Sequence, residues 1–322
     1  MNQPPDATAR PGSTVPTSAP GHTAVAPVDV ARFDGERPRL VGLAYRLLGS
    51  IADAEDVVQE AWFRWAAADR AAIERPAAWL TTVVSRLGLD RLRAAKRARV
   101  DYVGPWLPDP IVEPIAANEP ERVAVLSDSL TTAFLVLLER LSPDERLVVL
   151  LVDVFGESFT TAAAACGRSE DSCRQLAVRA RRKLRTDDAE HRPAAAAAHE
   201  QLAIATAFVG AVMSGDLELV RSMLTPDAVL ISDGGPHRHA ARRPVVGADR
   251  IARFVVNIGK RVGPELGFDP VWVNGRPGVM VSVSGLPYMV TAVDVVGGRI
   301  DRYWSFLNPD KLRSVGRALD LV

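Results

Sequence analysis

Two sets of basic side chains have the types and spacing to grip nucleic acid. After Ser169, a 3.6-residue period places Arg174, Gln175, Val178, Arg181 and Arg182 on one face of a helix. Cys173, Leu176, Ala177, Ala180 and Leu184 fall on the other. One side packs, and the other can offer guanidinium and amide groups to base edges and phosphates in a major groove. Earlier in the chain, Arg86, Asp90, Arg93 and Arg97 share a stripe, in a segment that also carries Arg91, Lys96 and Arg99. A cationic stripe is often only a solvated face, but two in one chain point to phosphate-backbone contact. A third group of residues raises acid–base chemistry. Proton abstraction beside a carbonyl needs a carboxylate or His in an apolar cavity, and the candidates are Asp233, His237, His239, Asp294 and Asp301. Asp233 precedes Gly234-Gly235, a setting for a turn aspartate, and the two histidines lie among Arg238, Arg242 and Arg243, on a basic edge. None of these forms an evident acid–base couple, so no catalytic residue and no enzyme is expected. Cys166 and Cys173 have no His or Cys cluster around them and read as small packed residues; no metal, disulfide or cofactor is implied.

The elements that must position these side chains are legible from caps and periods. Ser142-Pro143-Asp144-Glu145 predicts a capped helix start, the apolar run Leu147 to Phe155 a buried helix, and Gly156 its end. A short helix from about Thr160 to Cys166 ends at Gly167, and Ser169 caps the next with Glu170 and Asp171 in its first turn. Helix, glycine turn and basic helix make a helix-turn-helix; a small helical bundle with a solvated face is the plainer alternative. Upstream, residues 1–28 are rich in Pro, Ala, Thr and Ser and predict a disordered tail. Residues 29–100 predict a helical domain: a helix from Glu36 to Leu48 stopped by Gly49, a second capped by Asp53, and a third from Ala77 to about Ala98. Five prolines between 101 and 120 predict an extended linker rather than a strand. Within it Trp106 and Leu107 call for a surface to lie on. Residues 121–190 form the second helical domain, opened by a capping box from Asn118 to Glu121.

After His191-Arg192-Pro193, residues 194–322 read as α+β. Two helices, ending near Gly215 and Leu224, precede strands at 228–232, 238–246, 267–273, 279–284, 288–296 and 299–306. A helix at 248–260 interrupts the strands, and Asn274-Gly275 and Gly297-Gly298 predict hairpin turns. A strongly turned antiparallel sheet wrapped on helices leaves a pocket. The 322 residues carry 39 Lys and Arg against 39 Asp and Glu, so any nucleic-acid contact must come from local faces. No apolar run has the length of a membrane span and the N-terminus lacks a signal pattern, so a soluble cytoplasmic protein is expected.

The runs Ala44-Tyr45-Arg46-Leu47-Leu48-Gly49-Ser50 and Asp53-Ala54-Glu55-Asp56-Val57-Val58-Gln59-Glu60-Ala61-Trp62 resemble the promoter-melting domain of extracytoplasmic-function (ECF) sigma factors, as do Trp79-Leu80 and Asp90-Arg91-Leu92-Arg93. Leu141-Ser142-Pro143, Glu145-Arg146 and Arg179-Ala180-Arg181 resemble that family's second DNA-binding domain. The resemblance implies that Asp56, Gln59, Glu60 and Trp62 dock the β′ subunit of RNA polymerase. It also implies that the 77–99 helix reads and opens the −10 element, and that the 169–184 helix enters the major groove at the −35 element. Where the family usually has Glu-Ile-Ala, this chain has Thr161-Ala162-Ala163, so any contact of that Glu is absent.

The C-terminal order of elements resembles the cone of SnoaL-like polyketide cyclases and ketosteroid isomerases. One subgroup of ECF sigma factors carries that domain in the same chain, marked by three motifs, Trp-Leu-Pro-Glu-Pro, Asp-Gly-Gly-Gly-Lys and Asn-Pro-Asp-Lys-Leu. Here the first is Trp106-Leu107-Pro108-Asp109-Pro110 and the last is intact as Asn308-Pro309-Asp310-Lys311-Leu312. The middle one, Asp233-Gly234-Gly235-Pro236-His237, lacks the third Gly and the Lys. On residues alone, the Gly-Gly turn and the linker present N–H groups, Trp106 and an acid to a partner, and Asn308-Pro309 is also an ordinary helix start.

The expectation is a multidomain monomer, two all-α sigma domains and an α+β cone, that brings core RNA polymerase, through its β and β′ subunits, to promoter DNA. The resemblance implies that its own C-terminal domain packs against the sigma domains, with the three motifs Trp106 to Pro110, Asp233 to Gly235 and Asn308 to Leu312 as interdomain contacts, and would control it in cis, with room for a small ligand and no membrane contact. The alternatives are a ligand-sensing helix-turn-helix regulator and a SnoaL-type isomerase or cyclase fused to a DNA-binding module.

Overall fold

A computed structural model describes residues 26–115, 130–188, 198–260 and 266–315. The tail before residue 26, the Asn118–Glu121 capping box and the His191-Arg192-Pro193 boundary lie outside those ranges. The first helical unit is α1 (Pro27–Leu48), α2 (Ile51–Ala67) and α3 (Pro76–Ala98). The helix expected from Glu36 starts nine residues earlier, at Pro27, whose fixed φ suits a first turn. Gly49 ends it at φ 70°. The cap of α2 is Ser50 rather than Asp53: Ser50 Oγ accepts the Asp53 N–H at 3.3 Å, which leaves Asp53 in the first turn.

The second unit holds α4 (Thr132–Leu138), α5 (Pro143–Val149) running into a π turn at 150–154, α6 (Phe159–Cys166) and α7 (Glu170–Asp188). Ser142 and Glu145 form a reciprocal capping box on α5, and Gly167, at φ 64°, makes the turn between α6 and α7. Cys173, Leu176, Ala177 and Ala180 are buried, as the wheel requires. The two helical units share one continuous apolar core, in which Leu47, Leu80 and Leu92 meet Leu147, Leu150, Leu151 and Ala162.

The third unit consists of α8 (Ala198–Ser214), α9 (Leu217–Ser222), α10 (Ala248–Gly259), α11 (Pro309–Leu312) and a seven-stranded sheet. The strands are β1 (Val112–Pro114), β2 (Leu224–Asp233), β3 (Val245–Val246), β4 (Leu266–Val273), β5 (Arg276–Val283), β6 (Leu286–Val296) and β7 (Arg299–Phe306), in the order β1-β4-β5-β6-β7-β2-β3. Three expectations are corrected here. The linker contributes a strand, β1, paired antiparallel with β4; it lies at the sheet edge, where a proline is tolerated. The sheet is not wholly antiparallel, because β2 runs parallel to β7. Of the strand expected at 238–246 only Val245 and Val246 pair with β2; Arg238 N–H instead turns back to Gly234 O at 3.1 Å. Asn274 and Gly275 (φ 52° and 73°) and Gly297 and Gly298 (55° and 76°) are left-handed, as two-residue hairpin turns require.

Candidate nucleic-acid interface and interdomain clasp

On α7, Ser169 Oγ accepts the Ser172 N–H at 3.2 Å and starts the helix. Gln175, Val178 and Arg182 are exposed, Val178 at 64%. Arg174 pairs with Glu170 at 2.8 Å and Asp171 at 2.7 Å, and Arg181 Nε donates to Asp153 at 2.9 Å. The basic face therefore presents two arginines already held by carboxylates, which a phosphate would displace.

Cations on and beside the α3 stripe bond to the second helical unit. Arg86 donates to Ala164 O on α6 at 2.7 Å, and Arg93 to Asp144 on α5 at 2.7 Å. Lys96 donates to Leu141 O at 2.6 Å and Arg99 to Glu139 at 3.0 Å. Of the four stripe residues Arg86, Asp90 and Arg97 are exposed and Arg93 is half-buried. Arg146, wholly buried, completes the junction by donating to Arg46 O at 2.9 Å and to Glu139. Nothing in the local pattern around Glu139 and Arg146 signalled this, because Arg46, Lys96 and Arg99 lie on another unit.

On α2, Asp56 pairs with Arg91 at 2.8 Å, Gln59 and Glu60 are exposed, and half-buried Trp62 packs edge-on against Phe33 at 5.0 Å. With Asp34 and Arg37, Phe33, Asp56, Gln59 and Trp62 border a groove of about 500 Å³.

The three motif segments meet one another. The carboxylate of fully buried Asp233 accepts four hydrogen bonds: from Tyr102 OH at 2.5 Å, Leu107 N–H at 2.9 Å, Gly235 N–H at 3.0 Å and Lys311 Nζ at 2.7 Å. Lys311 Nζ also donates to Leu107 O and lies 4.1 Å from the Trp106 ring centroid. Burial pulls the Lys311 ammonium below the usual lysine range, and the Asp233 carboxylate opposes that. Burial, then hydrogen bonding to Asp233, raises the Tyr102 phenol. Asn308 Oδ1 caps α11 through the Asp310 N–H at 3.1 Å while its Nδ2 donates to Tyr102 OH at 2.9 Å, so it is both a helix start and a contact. Gly235 is needed there, since at φ 58° a Cβ would meet Asn308 Nδ2 at 2.5 Å. Leu107 is fully buried among Val271, Val273, Trp304, Phe306 and Leu312, which contributes about 1.5–3 kcal/mol.

The rest of the linker motif faces the first helical unit. Trp106 lies over Gly49, where a side chain would collide with its ring, and Arg99 stacks on it at 3.4 Å. Pro108 and Pro110 are buried. Asp109 N–H donates to Gly49 O at 2.8 Å, its carboxylate accepts the Ile51 N–H at 2.9 Å, and its carbonyl accepts Tyr45 OH at 2.6 Å. Desolvation pushes the Asp109 carboxyl up to about 6, against the Ile51 hydrogen bond and the Lys311 charge. Asn274 of the β4–β5 turn reaches the same phenol, donating at 2.9 Å.

As an acid–base candidate Asp233 reads as a turn residue; in the structure it is the centre of a clasp in which the Gly-Gly turn, the linker and Lys311 meet within the chain. The lysine lost at position 237 is not replaced locally, since His237 is exposed, 3.5 Å from Asp310. The clasp cation is Lys311. Of the acid–base candidates, Asp294 is held by Trp304 Nε1 at 3.4 Å and raised by burial, and Asp301 accepts Thr225 Oγ1 at 2.9 Å. Of the five, His239 alone borders the cavity of the third unit.

A helical unit with a basic third helix, joined to a helix-turn-helix with a basic second helix, defines a two-domain transcription initiation factor. Residues 33–98 match the Sigma-70 region 2 family and residues 131–184 the Sigma-70, region 4 family. The chain is 39% identical over 295 residues to the ECF RNA polymerase sigma factor SigJ of Mycobacterium tuberculosis, covering 88% of this chain and 93% of that one. It is 33% identical over 287 residues to the probable ECF RNA polymerase sigma factor SigI of the same species, covering 88% and 94%. The crystal structure of M. tuberculosis SigJ superposes with a TM-score of 0.67 at 38% identity, over 90% of this chain and 99% of that one. The chain belongs to the ECF RNA polymerase sigma factors, which bind core polymerase and promoter DNA. Among the described residues no helix is long and apolar enough to cross a membrane.

Proposed function

We propose that this sigma factor rests in a closed form, and that its C-terminal domain controls promoter engagement in cis by gripping the linker. One observation carries the reading. Asp233, Lys311 and Asn308 hold Tyr102 and Leu107 while Arg86, Arg93 and Lys96 of α3 are spent on the helix-turn-helix unit. In this reading Arg86, Asp90, Arg93 and Arg97 meet the −10 element only after the two helical units part. Ser169, Arg174, Gln175, Val178, Arg181 and Arg182 meet the −35 element, and Asp56, Gln59, Glu60 and Trp62 meet polymerase, in the cytoplasm. Holding the linker in the same chain gives the clasp a high effective concentration, so a modest interface suffices to keep the closed state.

The test compares the full chain with one ended at Leu307, which lacks α11. Fluorescent labels at positions 90 and 178 report the separation of the helical units, and run-off transcription with core polymerase reports output. The truncated chain is expected to show lower energy transfer and altered transcription from the cognate promoter. Unchanged transfer and unchanged output would remove the basis for control in cis.

A further inference from the structure

The sheet of the third unit has two working faces. On β2, Leu230 and Ser232 border a cavity of about 420 Å³ closed by α8 and α10, while Ile231 packs with Leu107 and Asp233 forms the clasp. On β7 and just beyond, Tyr303, Ser305 and Leu307 border the cavity, while Trp304 and Phe306 pack with Leu107 and Asn308 joins the clasp. The alternation is that of any strand, with successive side chains on opposite faces. Cavity and clasp are thus separated by one layer of backbone, tied where Leu307 N–H and Asn308 N–H both donate to Asp233 O, at 2.7 and 2.9 Å.

We propose that this cavity binds an uncharged, largely apolar small molecule and that its occupancy is transmitted through β2 and β7 to the clasp. The inference rests on the clasp reading above and adds the ligand class. The volume lies within the range of about 300–1,000 Å³ found for small-molecule sites. Among the described lining residues His239 is the one His, Asp, Glu, Lys or Arg, while Phe208, Phe254, Val281 and Met289 supply apolar walls. An ion entering would lose hydration with no carboxylate, ammonium or guanidinium of the described lining to meet it. The hydroxyls of Ser232, Ser305 and Tyr303 gather on the β2–β7 wall, so a single hydrogen-bonding group on the ligand would sit against the strands that carry Asp233 and Asn308. Arg238 ties the opposite rim to the same loop, donating to Tyr288 O at 3.0 Å with its guanidinium 4.0 Å from that ring's centroid.

The full chain, titrated with the neutral fluorophore N-phenyl-1-naphthylamine, is expected to bind it saturably at one site. Met289→Trp and Val209→Trp, on different walls, are each expected to weaken binding about tenfold or more by occupying the space. Circular dichroism and thermal melting identify a filled variant that has kept its fold. Hydrogen exchange at the Leu107 amide, which reports the bond to Asp233, is expected to change by about threefold or more on probe binding. Absent binding overturns the proposal, as does undiminished binding in a folded filled variant, or binding gained only when the chain is ended at Val315. If Asp233→Asn accelerates Leu107 exchange and bound probe does not alter it, the clasp stands and its coupling to the cavity is refuted.

Discussion

Lys311→Met removes the cation from a site where the Lys311 side chain is 8% exposed and its partner Asp233 is fully buried. Met keeps the length of the stem but gives up the ammonium's place over the Trp106 ring and its bond to Leu107 O. Asp233 is left with Tyr102 OH, Leu107 N–H and Gly235 N–H, three neutral donors and no counter-charge. Breaking a buried pair on one side costs about 3–5 kcal/mol, whereas replacing both partners by apolar groups is often nearly neutral. The stranded carboxylate can recover hydration by releasing the linker, so the cost is directed at the clasp. At about 1.4 kcal/mol per tenfold, a 3 kcal/mol penalty multiplies the released population by roughly a hundred. Hydrogen exchange at the Leu107 amide should therefore accelerate by about that factor, and urea unfolding should show the matching loss. Asp233→Asn combined with Lys311→Met, which removes the stranded charge and keeps an acceptor for Tyr102 OH and Gly235 N–H, should recover part of the stability. A single variant within about 0.5 kcal/mol of the parent, or a double variant no better than the single, would refute the assignment of the pair as the clasp's electrostatic centre.

The remaining predictions concern the linker acid and the recognition helix. Asp109 has its folded-state value raised from 3.8 to about 6, so its contribution is most favourable below 3.8 and is lost as pH rises through about 6. Asp109→Asn, whose side-chain oxygen can still accept from Ile51, should flatten that part of the stability profile and raise the melting temperature at pH 7.5; thermal melts from pH 4 to 8 test this. Arg174→Ala should weaken promoter binding at every sequence and lower the slope of log affinity against log salt by about 0.9 if the guanidinium meets one phosphate. A salt titration of DNA binding by the holoenzyme reads the slope, and an unchanged slope would assign Arg174 to its Glu170 and Asp171 pairs alone.

The helix-turn-helix was readable because each of its determinants is local. Ser142, Glu145, Gly167 and Ser169 act within a few residues, and the buried face of α7 follows from its own period. The hairpins at Asn274-Gly275 and Gly297-Gly298 were readable for the same reason. The donors to Asp233 were not legible, because Leu107 and Tyr102 lie 126 and 131 residues away and next to two glycines an aspartate looks like a turn residue. The strand at Val112–Pro114 was missed because proline content signals an extended chain but not what it pairs with; its partner is β4. The α3 stripe gave its spacing correctly but not its surroundings, since whether arginines face water or another unit is a property of tertiary packing. The linker motif gave the need for a surface, and two surfaces answered it, with Leu107 on the sheet and Trp106 and Asp109 against the first helical unit.

The apolar core that runs unbroken from Leu47 and Leu92 to Leu147 and Ala162 sets a thermal condition on opening. Parting the two helical units wets hydrocarbon, so the step carries a positive heat-capacity change, as unfolding does. The opening equilibrium must then follow a curved rather than a straight van't Hoff plot. Polymerase that captures the opened chain re-covers part of that surface, so capture carries a heat-capacity change of opposite sign.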